Sequence, residues 1–246
     1  MPSSPPSRSA QRTIQLFEVF AKSMEPLNLS DLADLIDIPL STCHGLVKTL
    51  QDLGYLFSVG GSRRLYPTKK LFVVAEMISR RDPIAEYLTK SLSDLRDASG
   101  ETAILGTRQG DSIVYLDVRE SENVIRYSAL PGDIKPLYSS SIGKLVLGDM
   151  PEKDRTKLLD RLSLRQITPN TVTDANELKR DLDACRATGV YVTRGENVAD
   201  VMAMAVPLRI SGDLFGIALA GPIERMTRRE EELGTMLLNA IARIAS

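Results

Sequence analysis

Residues 30–53 repeat apolar side chains at helical spacing, but Asp37-Ile38-Pro39-Leu40 cuts the pattern in two. A proline ring removes a backbone N–H and clashes with the preceding turn, so one long helix is excluded. Two short helices joined tightly remain. The first is expected to start near Ser30, a good N-cap, and to carry Leu32, Ala33, Leu35 and Ile36. The next begins at Ser41, a second N-cap, with Cys43, Leu46, Val47, Leu50 and Leu53 as its inner stripe and Gly54 as its stop. Upstream, Ile14, Leu16, Phe17, Val19 and Phe20 recur at helical spacing between about Ser9 and Ser23. Downstream, Tyr55–Val59 and Arg64–Thr68 read as short strands around a Gly60-Gly61-Ser62 turn.

Three helices and a hairpin in this order have the layout of a winged helix-turn-helix, over residues 9–68. The outer face of the third helix presents Ser41, Thr42, His44, Gly45, Lys48 and Thr49. These are polar, mostly compact groups, suited to a DNA major groove about 12 Å wide. Arg63 and Arg64 fall at the wing tip, with Lys69 and Lys70 beyond, and Arg8 and Arg12 lie near the N-terminus. All of these could reach phosphates or the minor groove. The charge is modest: residues 1–80 hold nine Lys and Arg against seven Asp and Glu. A dimer would double the phosphate contacts. The competing reading is a winged helix that contacts protein.

The counts of reactive side chains exclude much catalysis. His44 is the only histidine, and it adjoins Cys43 within a helical pattern, where successive side chains diverge. Cys43 and Cys185 are the only cysteines, too few for a disulfide framework or a structural zinc site, so a reducing cytoplasm is expected. Gly143-Lys144 resembles the end of a phosphate loop, but the glycine required five residues earlier is Tyr138. No apolar run approaches the roughly 18 residues of a membrane span, and residues 1–12 lack a signal-peptide core.

Residues 1–8 are Pro- and Ser-rich and read as a disordered arm. Residues 69–81 form a linker helix, and Asp82 and Pro83 cap the helix that follows, which runs to about Ser99. Residues 82–246 then alternate. Thr102–Thr107, Ile113–Val118, Val124–Ala129, Val190–Arg194, Met202–Ile210 and Leu214–Ala220 read as strands. Ser141–Gly148, Glu152–Leu162, Asp174–Thr188 and Thr227–Ala245 read as helices. The expectation is an α+β chain whose second part is one antiparallel sheet with helices on its faces. Tyr138, Ser139, Ser140 and Ser141 precede Ile142-Gly143-Lys144 at a helix start. Hydroxyls and N–H groups there suit an anion, with Gly143 allowing close approach. The competing reading is that the serines merely cap the helix. Lys144 faces either ligand or solvent. A Ser- or Lys-based enzyme in residues 139–144 is the remote alternative, for want of a base partner.

Several segments carry a family resemblance. They are Leu29-Ser30-Asp31-Leu32-Ala33, Ile38-Pro39-Leu40-Ser41-Thr42 and Thr49-Leu50-Gln51-Asp52-Leu53-Gly54-Tyr55 in the first part. In the second they are residues 136–144, Gly189-Val190-Tyr191, Met204-Ala205-Val206-Pro207 and Gly221-Pro222. Together they resemble the IclR family of bacterial transcription regulators, from about Gln11 to Ala245. The resemblance implies a winged helix, a helical linker and a GAF-like α/β effector-binding domain. It implies a non-enzyme without a redox cofactor that binds a palindromic operator in double-stranded DNA as a dimer or tetramer. It further implies a small organic effector, RNA polymerase as a possible partner, and action at the nucleoid rather than at a membrane.

Three departures from the family pattern stand out. Gly45 occupies a position where the family commonly has Arg, and Asp200 replaces a usual Gly. Positions that in relatives binding small polar acids carry polar groups here read Thr193, Ala203, Ala218 and Ala220, with Met202 and Met204 nearby. An apolar body would bury favourably there, so the expected effector is a larger, partly apolar or aromatic acid. Arg126 or Arg194 is a candidate counter-charge.

Overall fold

The computed structural model describes residues 7–61, 63–79 and 85–244, with no side-chain description at 85–87. Its contacts divide the chain into two units, Met1–Pro83 and Ile84–Ser246. The expected caps Asp82 and Pro83, turn residue Ser62, and residues 1–6 of the N-terminal arm lie outside the described residues.

The first unit opens with α1 (Arg8–Ser23), capped by the Ser7 hydroxyl, so Arg8 already belongs to a helix and not to an arm. Next come α2 (Leu29–Leu35) and α3 (Leu40–Asp52). The α2 cap is Asn28, not Ser30: Asn28 accepts the Asp31 N–H and Asp31 reaches back to the Asn28 N–H. Pro39, not Ser41, occupies the cap position of α3 and supplies no side-chain bond. Strands β1 (Leu56–Ser58) and β2 (Leu65–Pro67) pair antiparallel as the wing, and a bridge from Leu27 to Leu65 ties the wing to the body. Leu16, Phe20, Leu32, Cys43, Val47, Leu50, Leu56 and Leu65 fill one core. Leu53, expected inside, is 53% exposed, because α3 ends beside it. Helix α4 (Lys70–Ser79) follows and buries none of its side chains.

The second unit begins with α5 (Ala85–Ser99) and builds a six-stranded sheet. Its strands are β3 (Thr102–Gln109), β4 (Ser112–Arg119), β5 (Ile134–Pro136), β6 (Tyr191–Arg194), β7 (Val201–Ile210) and β8 (Asp213–Pro222). They lie in the order β5-β4-β3-β8-β7-β6, each pair antiparallel. Ser211 and Gly212, both at positive φ, close the β7–β8 hairpin in the two-residue turn that matches strand twist. Helices α6 (Ser141–Asp149), α7 (Glu152–Arg161) and α8 (Ala175–Thr188) supply one buried layer, with Leu145, Leu158 and Leu178. Helices α9 (Ile223–Thr227) and α10 (Glu230–Ile244) join α5 in the other, with Leu92, Met226 and Leu233. The closing helix expected from Thr227 is α10, which starts at Glu230, and the short α9 before it was not expected.

The expected strand Val124–Ala129 is a loop. Its carbonyls at Ile125 and Tyr127 accept from the Arg225 guanidinium and the Thr102 hydroxyl instead of from a neighbouring strand. The strand beside β4 at that edge of the sheet is β5. Among the described residues no helix is long and apolar enough to cross a membrane.

Candidate functional site

The outer face of α3 is exposed at Ser41, His44, Gly45, Lys48 and Thr49 and partly exposed at Thr42. Cys43, Val47 and Leu50 turn inward. The face is therefore set by helical period around a packed stripe. The Thr49 hydroxyl donates to the Gly45 carbonyl at 2.9 Å, so it offers an outside partner only acceptor capacity. A Cβ added at Gly45 would meet nothing within 4 Å, so no packing requires glycine there. Arg63 and Arg64 are exposed at the wing, and Arg8 and Arg12 sit one turn apart on α1. Lys70, by contrast, donates to the Leu53 carbonyl at 2.7 Å and lies over the Tyr55 ring, fastening α4 to the end of α3.

The second unit holds a narrow cleft, partly open to solvent, at the N-terminal end of α6. Its floor is a row of paired residues, Thr193 on β6, Ala203 on β7 and Ala220 on β8. Tyr115 and Tyr127 form one side, and Asn197, Val198 and Val201 the other. No lining residue carries a formal charge at neutral pH. Ser140 caps α6, accepting the Gly143 N–H at 3.2 Å and donating to the Pro136 carbonyl at 2.5 Å. That leaves the N–H groups of Ser141 and Ile142 without partners inside the helix. Beside them Ser139 is fully buried, and its hydroxyl has no hydrogen-bond partner among the described residues. A buried donor of this kind is costly until something pairs with it.

Other expected residues lie elsewhere. Met202 and Met204 face the α5/α10 layer, because side chains alternate along β7 and Ala203 takes the cleft side. Ala218 shares the α6-side layer without lining the cleft. Arg126 does not line it either: it pairs with Glu120 at 3.2 Å on the surface. Arg194 is paired to Glu230. Asp200 is exposed, and its carbonyl accepts the Ile223 N–H. Tyr138 is buried with its hydroxyl on the Arg165 carbonyl, and Ile142 packs on the sheet at Gly106 and Gly216. The close approach at Gly143 is to the protein's own backbone: a Cβ there would overlap the Leu137 carbonyl.

Lys144 faces neither ligand nor solvent. It is 1% exposed, and its ammonium bonds Asp181 on α8 and Glu196 at 2.6 Å each. Burial raises the Glu196 carboxyl above the ordinary carboxylate range, although the ammonium opposes the shift. Tyr115, Tyr127, Asn197, Val198 and Val201 were missing from the sequence reading. Alternation along β4 could have indicated Tyr115, and alternation along β7 Val201; the loop residues Tyr127, Asn197 and Val198 carry no periodic signal.

A winged helix-turn-helix joined to a domain with an uncharged cleft at a helix start defines a class: proteins that read DNA and answer to a small molecule. Residues 9–58 match the sequence model described as the IclR helix-turn-helix domain, and residues 76–246 match the bacterial transcriptional regulator IclR C-terminal domain. The chain belongs to the IclR family of bacterial transcriptional regulators, which are not enzymes. It is 29% identical over 221 residues to the probable transcriptional regulator SauR of Cupriavidus necator, covering 89% of this chain and 88% of that one. The IclR structure from Thermotoga maritima superposes with a TM-score of 0.80 at 26% identity, over 96% of both chains. An IclR homologue from Microbacterium hydrocarbonoxydans, solved in complex with 4-hydroxybenzoate, matches with a TM-score of 0.68 over 96% of this chain and 99% of its own. At 20% identity that likeness speaks for the fold alone.

Proposed function

We propose that the chain binds a palindromic operator as a dimer or a pair of dimers, and that the cleft beside α6 holds the effector controlling it. The effector class is a small organic acid with at most one negative charge and an apolar or aromatic body. One observation carries this: the unpartnered Ser139 hydroxyl stands beside the Ser141 and Ile142 N–H groups, which have no partner within α6, inside an uncharged cleft. Helix N–H groups and the helix dipole stabilise one carboxylate, while Ala203, Ala220, Val198 and the two tyrosine rings accommodate the rest. The aromatic acid bound by the Microbacterium homologue has this chemistry.

On the DNA side, α3 enters the major groove with Thr42, His44 and Lys48 towards base edges, and Arg63 and Arg64 hold phosphate. The effector acts by binding the DNA-competent and DNA-incompetent arrangements with different affinity. Contact with RNA polymerase in the cytoplasm would serve as a further output.

The test is selection of operator DNA from a random duplex pool at near-physiological salt, followed by a screen of carboxylic acids for release of the selected site. An enriched palindrome is expected. Lys48→Ala should alter base preference, while Arg64→Ala should weaken all sequences alike. Ser139→Ala should keep DNA affinity and raise the half-maximal acid concentration. An unchanged response in Ser139→Ala would remove the cleft assignment, and absence of an enriched sequence would remove the operator reading.

A further inference from the structure

The turn after β6 forms one side of the cleft, through Asn197 and Val198. Its backbone is drawn in at the start: the Gly195 N–H donates to the Val201 carbonyl at 2.8 Å, and the Thr171 hydroxyl donates to the Glu196 carbonyl at 2.7 Å. Between these ties the Glu196 side chain points inward, 8% exposed. One oxygen meets the Lys144 ammonium at 2.6 Å; the other is buried with no partner among the described residues. Lys144 itself lies one turn beyond the Ser139–Ser141 rim of the same cleft. The second carboxylate on it, Asp181, belongs to α8 and is partly open to solvent. A buried carboxylate that loses its cation must gain a proton or reach water, and either outcome breaks the tie between the turn and α6.

We infer that Lys144 is a positioning residue of the effector site: its ion pair with Glu196 holds the 195–201 turn against the start of α6 and so sets the shape of one cleft wall. The inference rests on the reading of the cleft as the effector site. It also explains why a lysine next to the site is not the counter-charge for an acid. Its charge is already matched by two carboxylates, which leaves Ser139 and the helix N–H groups to meet the ligand.

Amide exchange read by mass spectrometry on the full chain tests this. In Lys144→Met, peptides spanning 195–201 should exchange roughly tenfold faster or more, with α10 unchanged. In Asp181→Asn the turn should exchange as in wild type, because Asp181 is not on it. In the paired variant Lys144→Met/Glu196→Leu an apolar contact of similar volume takes the place of the ion pair across the same gap and no buried charge is left uncompensated, so slow exchange in the turn should return. Should Lys144→Met alone fail to fold, recovery of a folded chain in the paired variant is the same rescue. Unchanged exchange in Lys144→Met, equal acceleration in Asp181→Asn, or failure of the paired variant to rescue would each overturn the proposal. If the exchange pattern holds while Ser139→Ala leaves the effector response intact, the ion pair keeps its role in the turn and only the effector assignment falls.

Discussion

Gly45 stands at the centre of the face proposed to read DNA, with open space where a side chain would go. Glycine inside a helix costs about 1 kcal/mol relative to alanine. Gly45→Ala should therefore stabilise the first unit by about 1 kcal/mol in a denaturant melt. A loss of stability would show that the backbone there depends on glycine after all. Tyr115 offers a second residue-level test. Burial, then the neighbouring Tyr127 and Asp133, push its phenol well above its ordinary range. The unfolded chain ionises first, so this contribution to stability is full below pH about 10 and is lost as pH rises beyond it. Tyr115→Phe should lose less stability than wild type between pH about 8 and about 11, measured as the shift in melting midpoint. Equal losses would count against it. At this scale the sequence was only partly legible. The Ser139–Ser141 rim could be found because a helix start is a local signal. Lys144 could not be placed, because its partners lie 37 and 52 residues away.

Elements with a strong period were legible, and elements decided by tertiary partners were not. The break at Pro39, the three helices, the wing and the β7–β8 hairpin all follow from local pattern. The α2 cap has a local signal too, in the Asn28–Asp31 spacing of a capping box, but Ser30 is an equally good cap by residue type and in the structure its hydroxyl bonds the Asn28 side chain. Residues 124–129 read as a strand because Val124, Ile125 and Tyr127 favour strands and no Gly or Pro interrupts them, yet Thr102 and Arg225 take the Tyr127 and Ile125 carbonyls and Val124 is left 94% exposed. Alternation along β7 was visible but not its phase, so Met202 and Met204 were placed with Ala203. Helix α4 makes the prediction at this scale. It exposes Leu71, Phe72, Val73, Met77 and Ile78, Phe72 by 67%. So much apolar surface on one short helix marks an interaction face. If a second copy covers it, Phe72→Glu should lower the apparent mass in sedimentation while leaving the helical circular dichroism intact. An unchanged mass would remove α4 from the self-association surface.

The two units have separate cores, one between the helices and the wing, the others on the two faces of the sheet. Calorimetry of the full chain should accordingly resolve two transitions. The selected operator should raise one and an effector the other, each by mass action. One endotherm that fits a two-state transition would contradict this.

One further consequence concerns how a signal can leave the cleft. Gly143 rests directly on the Leu137 backbone, and Ile142 fits against the sheet at Gly106 and Gly216, where even a methyl group would crowd it. Helix α6 is thereby keyed to the sheet like a shaft in its slot, and ligand contacts at its tip meet a fixed anvil. The opposite side, formed by the 195–201 turn, is held by hydrogen bonds and the Lys144–Glu196 pair and not by such backbone contact, and on the proposed reading it is the jaw that answers the effector. Variants that still grip DNA but have become deaf to the effector should therefore gather in that jaw, while changes under α6 should mostly cost the fold.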